Sequence, residues 1–412
     1  MFKTNEQRIK TQIEAIARFT ATPGQGTTRL SYSKEDEDAR RYIKQEMSAI
    51  GLAVREDAVG NIYGRLEGTL KNAPAVIIGS HFDSVPNGGS FDGPAGVVAG
   101  LEVAALFREQ GLKPRYPLEV LAMIEEEGSR FGGGVLGSRM LAGQITTADL
   151  HEMKDHTGVS AAEAMAMLGF NAAKIGLARR TGSDVKAFLE LHIEQGPLLE
   201  ETCLDVGIVD TIVGMTEIRI TARGKSGHAG TTPMDRRADA LVAAVSVLKE
   251  LPGLVLTEPD KPVLTVGKLN VLPNGANVIP NQVDFTVDIR SANDDTLQRI
   301  LKKIEKLLTD ATSPGITFST EELLYAEPVA MAVGIQSHLI RNCEKMGLHY
   351  RKMVSGAGHD AMIFASFTDT GLIFVPSKDG ISHTPEEWTD YAQLQKGIEL
   401  AFETIVQLTE AS

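Results

Sequence analysis

Four mostly apolar runs constrain this chain more than anything else in it: AVIIGS (75–80), YPLEVLAMI (116–124), VKAFLELHI (185–193) and GLIFVPS (371–377). Each is short enough for a strand, and each gives way at its end to glycine, histidine or acidic residues. Runs of this kind belong to strands buried in the middle of a sheet. Helical patterns alternate with them. Residues 5–19 place Ile9, Ile13, Ile16 and Phe19 on one helical face. Ser33 with Asp36 reads as a capping box that opens a helix carrying Tyr42, Ile43, Met47 and Ile50. A stretch of small residues at about 94–110 forms a further helix, and LAVRED and NIYGRLEG read as strands. The alternation predicts an α/β sheet, with its chemistry at the strand ends.

The pattern changes near residue 212. EIRITARG, a helix from Met234 to about Leu251, VLTVGKLNVLP, VDFTVDIRS, a helix from about 294 to 310 and ITFSTEELL then follow one another. That strand–helix–strand–strand–helix–strand order is that of a small α+β sandwich. After Pro328 the first style resumes. A chain of 412 residues exceeds what one core usually serves. The expected organisation is a discontinuous α/β domain, 1–211 with 328–412, interrupted by an inserted domain, 212–327.

The net charge of −13 argues against nucleic acid and against an anionic membrane surface as partners. No apolar run approaches the ~18 residues of a membrane span, and MFKTNEQRIK lacks a signal-peptide core. Cys203 and Cys343 are too few for a disulfide framework, and neither belongs to a CxxC pair. The expected setting is a reducing cytoplasm.

The residues that could carry chemistry cluster at strand ends. His81 follows the run AVIIGS, and Asp83, two positions on, points the same way in an extended segment. A carboxylate there could hydrogen-bond the second ring nitrogen of a metal-bound histidine, or simply cap a loop. Asp92 follows a Gly-Gly turn and is free to fold back toward His81. Glu125-Glu126-Glu127 end the run LEVLAMI; three adjacent carboxylates repel one another unless cations, solvent or a helix N-terminus compensate. His192 ends VKAFLELHI, and His383 lies in the turn-rich DGISHTP. Any one histidine here could be structural. Together His81, Asp92, Glu127, His192 and His383 all belong to strand ends that line one crevice in an open α/β sheet. Mixed nitrogen and oxygen donors suit zinc, manganese or cobalt. Five ligands exceed one tetrahedral centre, whereas two ions sharing a carboxylate use all five.

The ordered motifs HFD, FDGPAG, EEEGSRF, ELHIEQG, GHAGTTPM, NVIP, DIR, SGAGHDA and GISHTP resemble the di-metal aminoacylase and carboxypeptidase-G family of amidohydrolases. The similarity spans essentially the whole chain, and is greatest to the ureido-hydrolysing branch: allantoate amidohydrolase, N-carbamoyl-L-amino-acid hydrolase and β-ureidopropionase. It implies a mixed-sheet hydrolase domain with an inserted lid and dimerisation domain, a homodimer, and two divalent ions per subunit, zinc or manganese. His81 and His192 would bind one ion and Glu127 and His383 the other, with Asp92 bridging and Asp83 orienting His81. Glu126 would be the general base. The Asp92–Gly93 peptide is expected to be cis. His228 would reach the partner subunit's site and polarise the scissile carbonyl. Asn277 and Arg290 would hold the substrate carboxylate, aided by Gln195 and by backbone groups at Ala357 and Gly358. Without the resemblance, His228 reads as an exposed turn residue and Arg290 as half of a surface ion pair. His359 and Asp360 read as structural, opening a helix beneath the site.

The resemblance implies a small ureido acid as substrate. EEEGSRF, GTTPM, GNIYGRLEGT and SGAGHDAMIFA point to allantoate, hydrolysed at a linear ureido C–N bond, with an N-carbamoyl-L-amino acid as the alternative. One departure weighs against allantoate: its hydrolases carry arginines after the Val-Gly opening the inserted domain, where this chain has Gly214-Met215-Thr216-Glu217. A metal-stabilised binding protein without catalysis is the reading from another class.

Overall fold

The computed structural model describes residues 3–412. In chain order the strands are β1 (Ala53–Glu56), β2 (Ile62–Leu66), β3 (Ala75–His81), β4 (Leu118–Met123), β5 (Val185–Ile193), β6 (Val206–Ile212), β7 (Gly214–Arg223), β8 (Val263–Leu272), β9 (Gln282–Ser291), β10 (Thr317–Ala326), β11 (Val329–Ala330), β12 (Tyr350–Ser355) and β13 (Asp369–Val375). Nine of them form a mixed sheet in the order β1-β2-β4-β3-β5-β13-β6-β11, with β12 paired to β6. Its centre, β4-β3-β5-β13, is parallel. β1, β2 and β6 join antiparallel to their neighbours.

Every residue of β3 and β4 is buried, which is why these segments are apolar on both faces. The helix Pro94–Glu109 is buried from Pro94 through Phe107. Ile9, Ile13 and Ile16 of the helix Glu6–Ala17, and Ile43 and Met47 of Lys34–Ile50, complete the same core. At Lys34–Ile50 only half of the capping box forms. Ser33 accepts from the Asp36 N–H, but the Asp36 carboxylate takes the Tyr32 N–H at 2.6 Å and the Arg40 guanidinium at 2.8 Å. Arg40, one turn along, draws that carboxylate away from the Ser33 backbone.

The chain divides into two compact units, residues 1–210 with 330–412, and residues 211–329. The crossings fall one residue earlier and two residues later than the sequence pattern suggests, because β6 and β11 straddle them. In the second unit an antiparallel sheet, β10-β7-β9-β8, packs against the helices Ala240–Val255 and Asp294–Ala311. Its core comes from alternate residues, such as Ile218, Ile220 and Ala222 on β7 and Val283, Phe285, Val287 and Ile289 on β9. The helix expected from Met234 begins at Ala240, because Asp239 caps it through the Leu241 and Val242 N–H groups. Among the described residues no helix is long and apolar enough to cross a membrane.

Candidate metal centre

Because β3, β4, β5 and β13 are parallel, their C-terminal ends lie at one edge of the sheet. β3 ends in His81 beside Met123 of β4, so the loop carrying Glu125–Glu127 starts next to it. His192 on β5 is level with Phe374 on β13, whose following loop brings His383. Asp92 meets all of them. One of its oxygens lies 3.4 Å from His81 Nε2 and 3.2 Å from His192 Nε2. The other lies 3.3 Å from His383 Nε2, which is 3.5 Å from Glu127 Oε2. Two donor groups result, His81–Asp92–His192 and Asp92–Glu127–His383, joined through one carboxylate.

The surroundings hold these groups in place. His192 Nδ1 lies 2.9 Å from the Ile193 carbonyl, to which it donates, so Nε2 is the ring nitrogen turned toward Asp92. Asp83 is buried 3.4 Å from His81 Nδ1 and accepts the backbone N–H groups of Glu126 and Glu127. Gly93 makes the bend after Asp92 at φ +80°, and a Cβ there would stand 2.4 Å from the His81 ring. The Asp92–Gly93 peptide, expected to be cis, is trans: the left-handed glycine supplies the turn, and the one cis bond among the described residues joins Leu272 to Pro273. Glu126 Oε2 is 3.7 Å from His81 Nε2 and belongs to neither donor group.

The electrostatics are those of crowded, buried carboxylates. Burial pushes Glu126 well above the usual carboxylate range; Glu127, Asp360 and Asp83 add to this and His81 opposes it. Glu127 is pushed up to about 7 by burial and by Asp92, against His81 and His383. Asp92 goes the other way: burial raises it, but the imidazoles of His192, His383 and His81 prevail and hold it well below its usual range. Its partnership with Asp92 raises His383 to about 9 despite partial burial.

Gln195 lies beside the centre, donating from Nε2 to Asp92 at 2.6 Å and standing 3.2 Å from His383 Nε2. It borders a cavity of about 520 Å³ that Leu198, Met353, Ala357, Phe374 and His383 also line. The Ala357 N–H reaches Ser355 Oγ at 3.2 Å; Gly358 follows in the loop. His359 is the N-cap residue of the helix Asp360–Phe364, and its ring packs 4.5 Å from that of His192. Burial, reinforced by His192, holds its pKa well below the usual histidine value.

Three supporting groups escape sequence reading. Ser382 Oγ lies 2.9 Å from Asp92 Oδ2. Glu387 accepts the Phe91 and Asp92 N–H groups. Glu190, two residues before His192, accepts from Ser80 Oγ and the Ala361 N–H. The acidic pair in HTPEEW and the glutamate that opens ELHIEQG are visible signals, but neither states a partner.

Residues 77–407 match the peptidase family M20/M25/M40. The chain belongs to that family. It is 42% identical over 407 residues to an N-carbamoyl-L-amino-acid amidohydrolase of Paenarthrobacter aurescens, covering 98% of both chains. It is 38% identical over 405 residues to the allantoate amidohydrolase of Escherichia coli (strain K12), again covering 98% of both. A hydantoinase/carbamoylase-family amidase from Burkholderia multivorans superposes with a TM-score of 0.88 at 34% identity, over 99% of this chain and 98% of that one. Both of these curated relatives are named amidohydrolases.

M20 enzymes are metal-dependent, and the residues here fit such a group. His81 Nε2 and Glu127 Oε1 are buried without a hydrogen-bond partner, as free ligand atoms would be. Nitrogen and oxygen donors converge from four strand ends around a carboxylate whose two oxygens face different groups.

His228, Asn277 and Arg290 belong to the second unit. His228 is exposed, and its Nδ1 accepts the Gly230 N–H at 3.1 Å, so Nε2 carries the proton. The adjoining loop is held by the Ala229 N–H on the Asn277 carbonyl. Arg290, on β9, pairs with Asp288 at 3.0 Å, the ion-pair role open to it from sequence.

Proposed function

We propose that this amidohydrolase cleaves the ureido C–N bond of a small ureido acid, releasing ammonia and carbon dioxide, with two divalent cations, zinc or manganese, in the centre. One observation carries the reading: two donor groups share Asp92, while Glu126 stands beside them as a carboxylate outside both. A purely structural site has no use for that extra base. His81, Asp92 and His192 would hold one ion, and Asp92, Glu127 and His383 the other. When bound, such ions polarise a carbonyl and acidify water.

The chain's own groups do the rest. Glu126, with its pKa raised by burial, takes a proton from the attacking water and delivers it to the departing nitrogen. Asp83 orients His81 and, through two backbone N–H groups, fixes where Glu126 starts. His228 presents Nε2–H to the scissile carbonyl. Arg290 offers a planar fork to the substrate carboxylate, with Asn277, Gln195 and the Ala357–Gly358 backbone alongside. Arg290 is eight residues along β9 from Gln282, roughly 27 Å of strand, whereas Asn277 and His228 belong to loops beyond the Gln282 end. That separation favours two copies of the chain, joined through the second unit, contributing to each site.

Two substrates fit. The apolar side chains of Leu198, Met353 and Phe374 in the cavity favour the side chain of an N-carbamoyl-L-amino acid, as does Gly214-Met215-Thr216-Glu217 in place of arginines. Allantoate, first indicated by EEEGSRF and GTTPM, is supported by the hydrogen-bonding groups of Gln195 and Ser382, which suit a second ureido group. Ammonia release from allantoate and from a panel of N-carbamoyl-L-amino acids, with manganese or zinc added, tests both. Turnover of dipeptides or N-acyl amino acids alone would refute the ureido assignment. No turnover of any of these by a metal-loaded sample would leave a metal-stabilised binding protein.

A further inference from the structure

Glu387 is 4% exposed and lies four residues after His383, yet it belongs to neither donor group. Its Oε1 accepts two consecutive backbone donors, Phe91 N–H at 2.9 Å and Asp92 N–H at 3.0 Å. Its Oε2 accepts Ser382 Oγ–H at 2.8 Å and faces the His383 N–H at 3.4 Å. One carboxylate thus ties together two loops nearly 300 residues apart in sequence, each carrying one candidate ligand. The Gly-Gly turn at 88–89 makes room for it, since a Cβ on Gly89 would stand 2.1 Å from Glu387 Oε1. Beside it, the Phe91 ring packs edge-on against Trp388 at 5.3 Å, so the same two segments also meet through apolar contact.

Resting on the di-cation reading above, we propose that Glu387 is a positioning residue that sets Asp92 and His383 in the mutual orientation needed to share cations. On that reading Asp92 would belong to both donor groups at once, a demand that tolerates errors of only about 0.5 Å. Its carboxylate contacts three imidazoles, Gln195 and Ser382, while Glu387 takes the N–H groups of Phe91 and Asp92 in the backbone from which it projects. Removing Glu387 strands two buried N–H groups and uncouples the His383 loop from the Asp92 loop. Glutamine keeps one carbonyl oxygen for Phe91 and Asp92 but turns an NH₂ toward the His383 N–H, so it restores half of the clamp.

The test compares wild type, Glu387→Gln and Glu387→Ala, freed of metal and titrated with Mn²⁺ by calorimetry, with bound metal counted after dialysis. Wild type is expected to bind two ions. Glu387→Ala should bind at least one of them roughly 10–100-fold more weakly, as outer-shell changes do, and Glu387→Gln should fall between. Melting temperature in EDTA separates loss of positioning from loss of fold; should Glu387→Ala fail to fold, Glu387→Gln decides. Two ions bound by a folded variant with wild-type affinity would overturn the role of Glu387 and leave the di-cation reading standing. No Mn²⁺ or Zn²⁺ bound by wild type would overturn both.

Discussion

Asp360 offers a sharp test, because two neighbouring buried carboxylates have opposite surroundings. Each oxygen of Glu190 faces a donor, Ser80 Oγ–H at 2.7 Å and Ala361 N–H at 2.9 Å, which oppose the rise that burial imposes on it. Asp360 Oδ1 instead lies 2.5 Å from Ser138 Oγ, which also lies 3.0 Å from the Val135 carbonyl. A hydroxyl has one proton, and if Ser138 gives it to the carbonyl, Asp360 has to donate. Burial, reinforced by Glu190, accordingly pushes the Asp360 carboxyl up to about 8. A carboxylic acid raised in the folded state makes native protein bind more protons than unfolded chain. Its stabilisation is fully present below about pH 4 and is lost as pH rises toward 8. The slope approaches about 1.4 kcal/mol per pH unit, hence at most about 2.7 kcal/mol between pH 5.5 and 7.5. Asp360→Asn preserves the donor to Ser138 and cannot titrate. Urea unfolding in EDTA, followed by fluorescence of Trp388, the one tryptophan in the sequence, reads the unit that contains Asp360. Wild type should lose stability relative to the variant as pH rises through this window. Parallel pH profiles, or a relative gain for wild type, would refute a protonated Asp360.

Other expectations are simpler. Glu126→Gln should keep both cations and lose roughly 10²–10⁴-fold in kcat; a loss of less than about tenfold would mean the base lies elsewhere. Gly93→Ala forces an L-residue into φ +80° and a Cβ against His81, costing upward of about 1 kcal/mol and weakening Mn²⁺ binding. Unaltered calorimetric affinity in that variant would count against His81 as a ligand. Mixing inactive His228→Ala and Glu126→Gln chains should restore partial activity if each site draws His228 from a partner copy, and no recovery after subunit exchange would sink that arrangement.

Much of this protein is legible in the linear chain. Apolar runs flanked by glycine and acid mark the buried strands, since a strand covered on both faces keeps a polar side chain only where it is paired, as Glu119 is with Arg65 and Arg180 and Glu190 with Ser80. The alternation of Ile218, Ile220 and Ala222 likewise marks a half-buried sheet after residue 212. The ligand candidates were visible because histidines and carboxylates are conspicuous at the ends of such runs. What folding alone decided is which groups face one another. Asp36 turning to Tyr32 and Arg40, Gly93 making its bend with a trans peptide, and Glu387 reaching back to Phe91 are all contacts set by packing. Local sequence specifies periodicity and turn chemistry, whereas a hydrogen bond between residues nearly 300 positions apart depends on the register of parallel strands. That register exists only once the sheet has assembled.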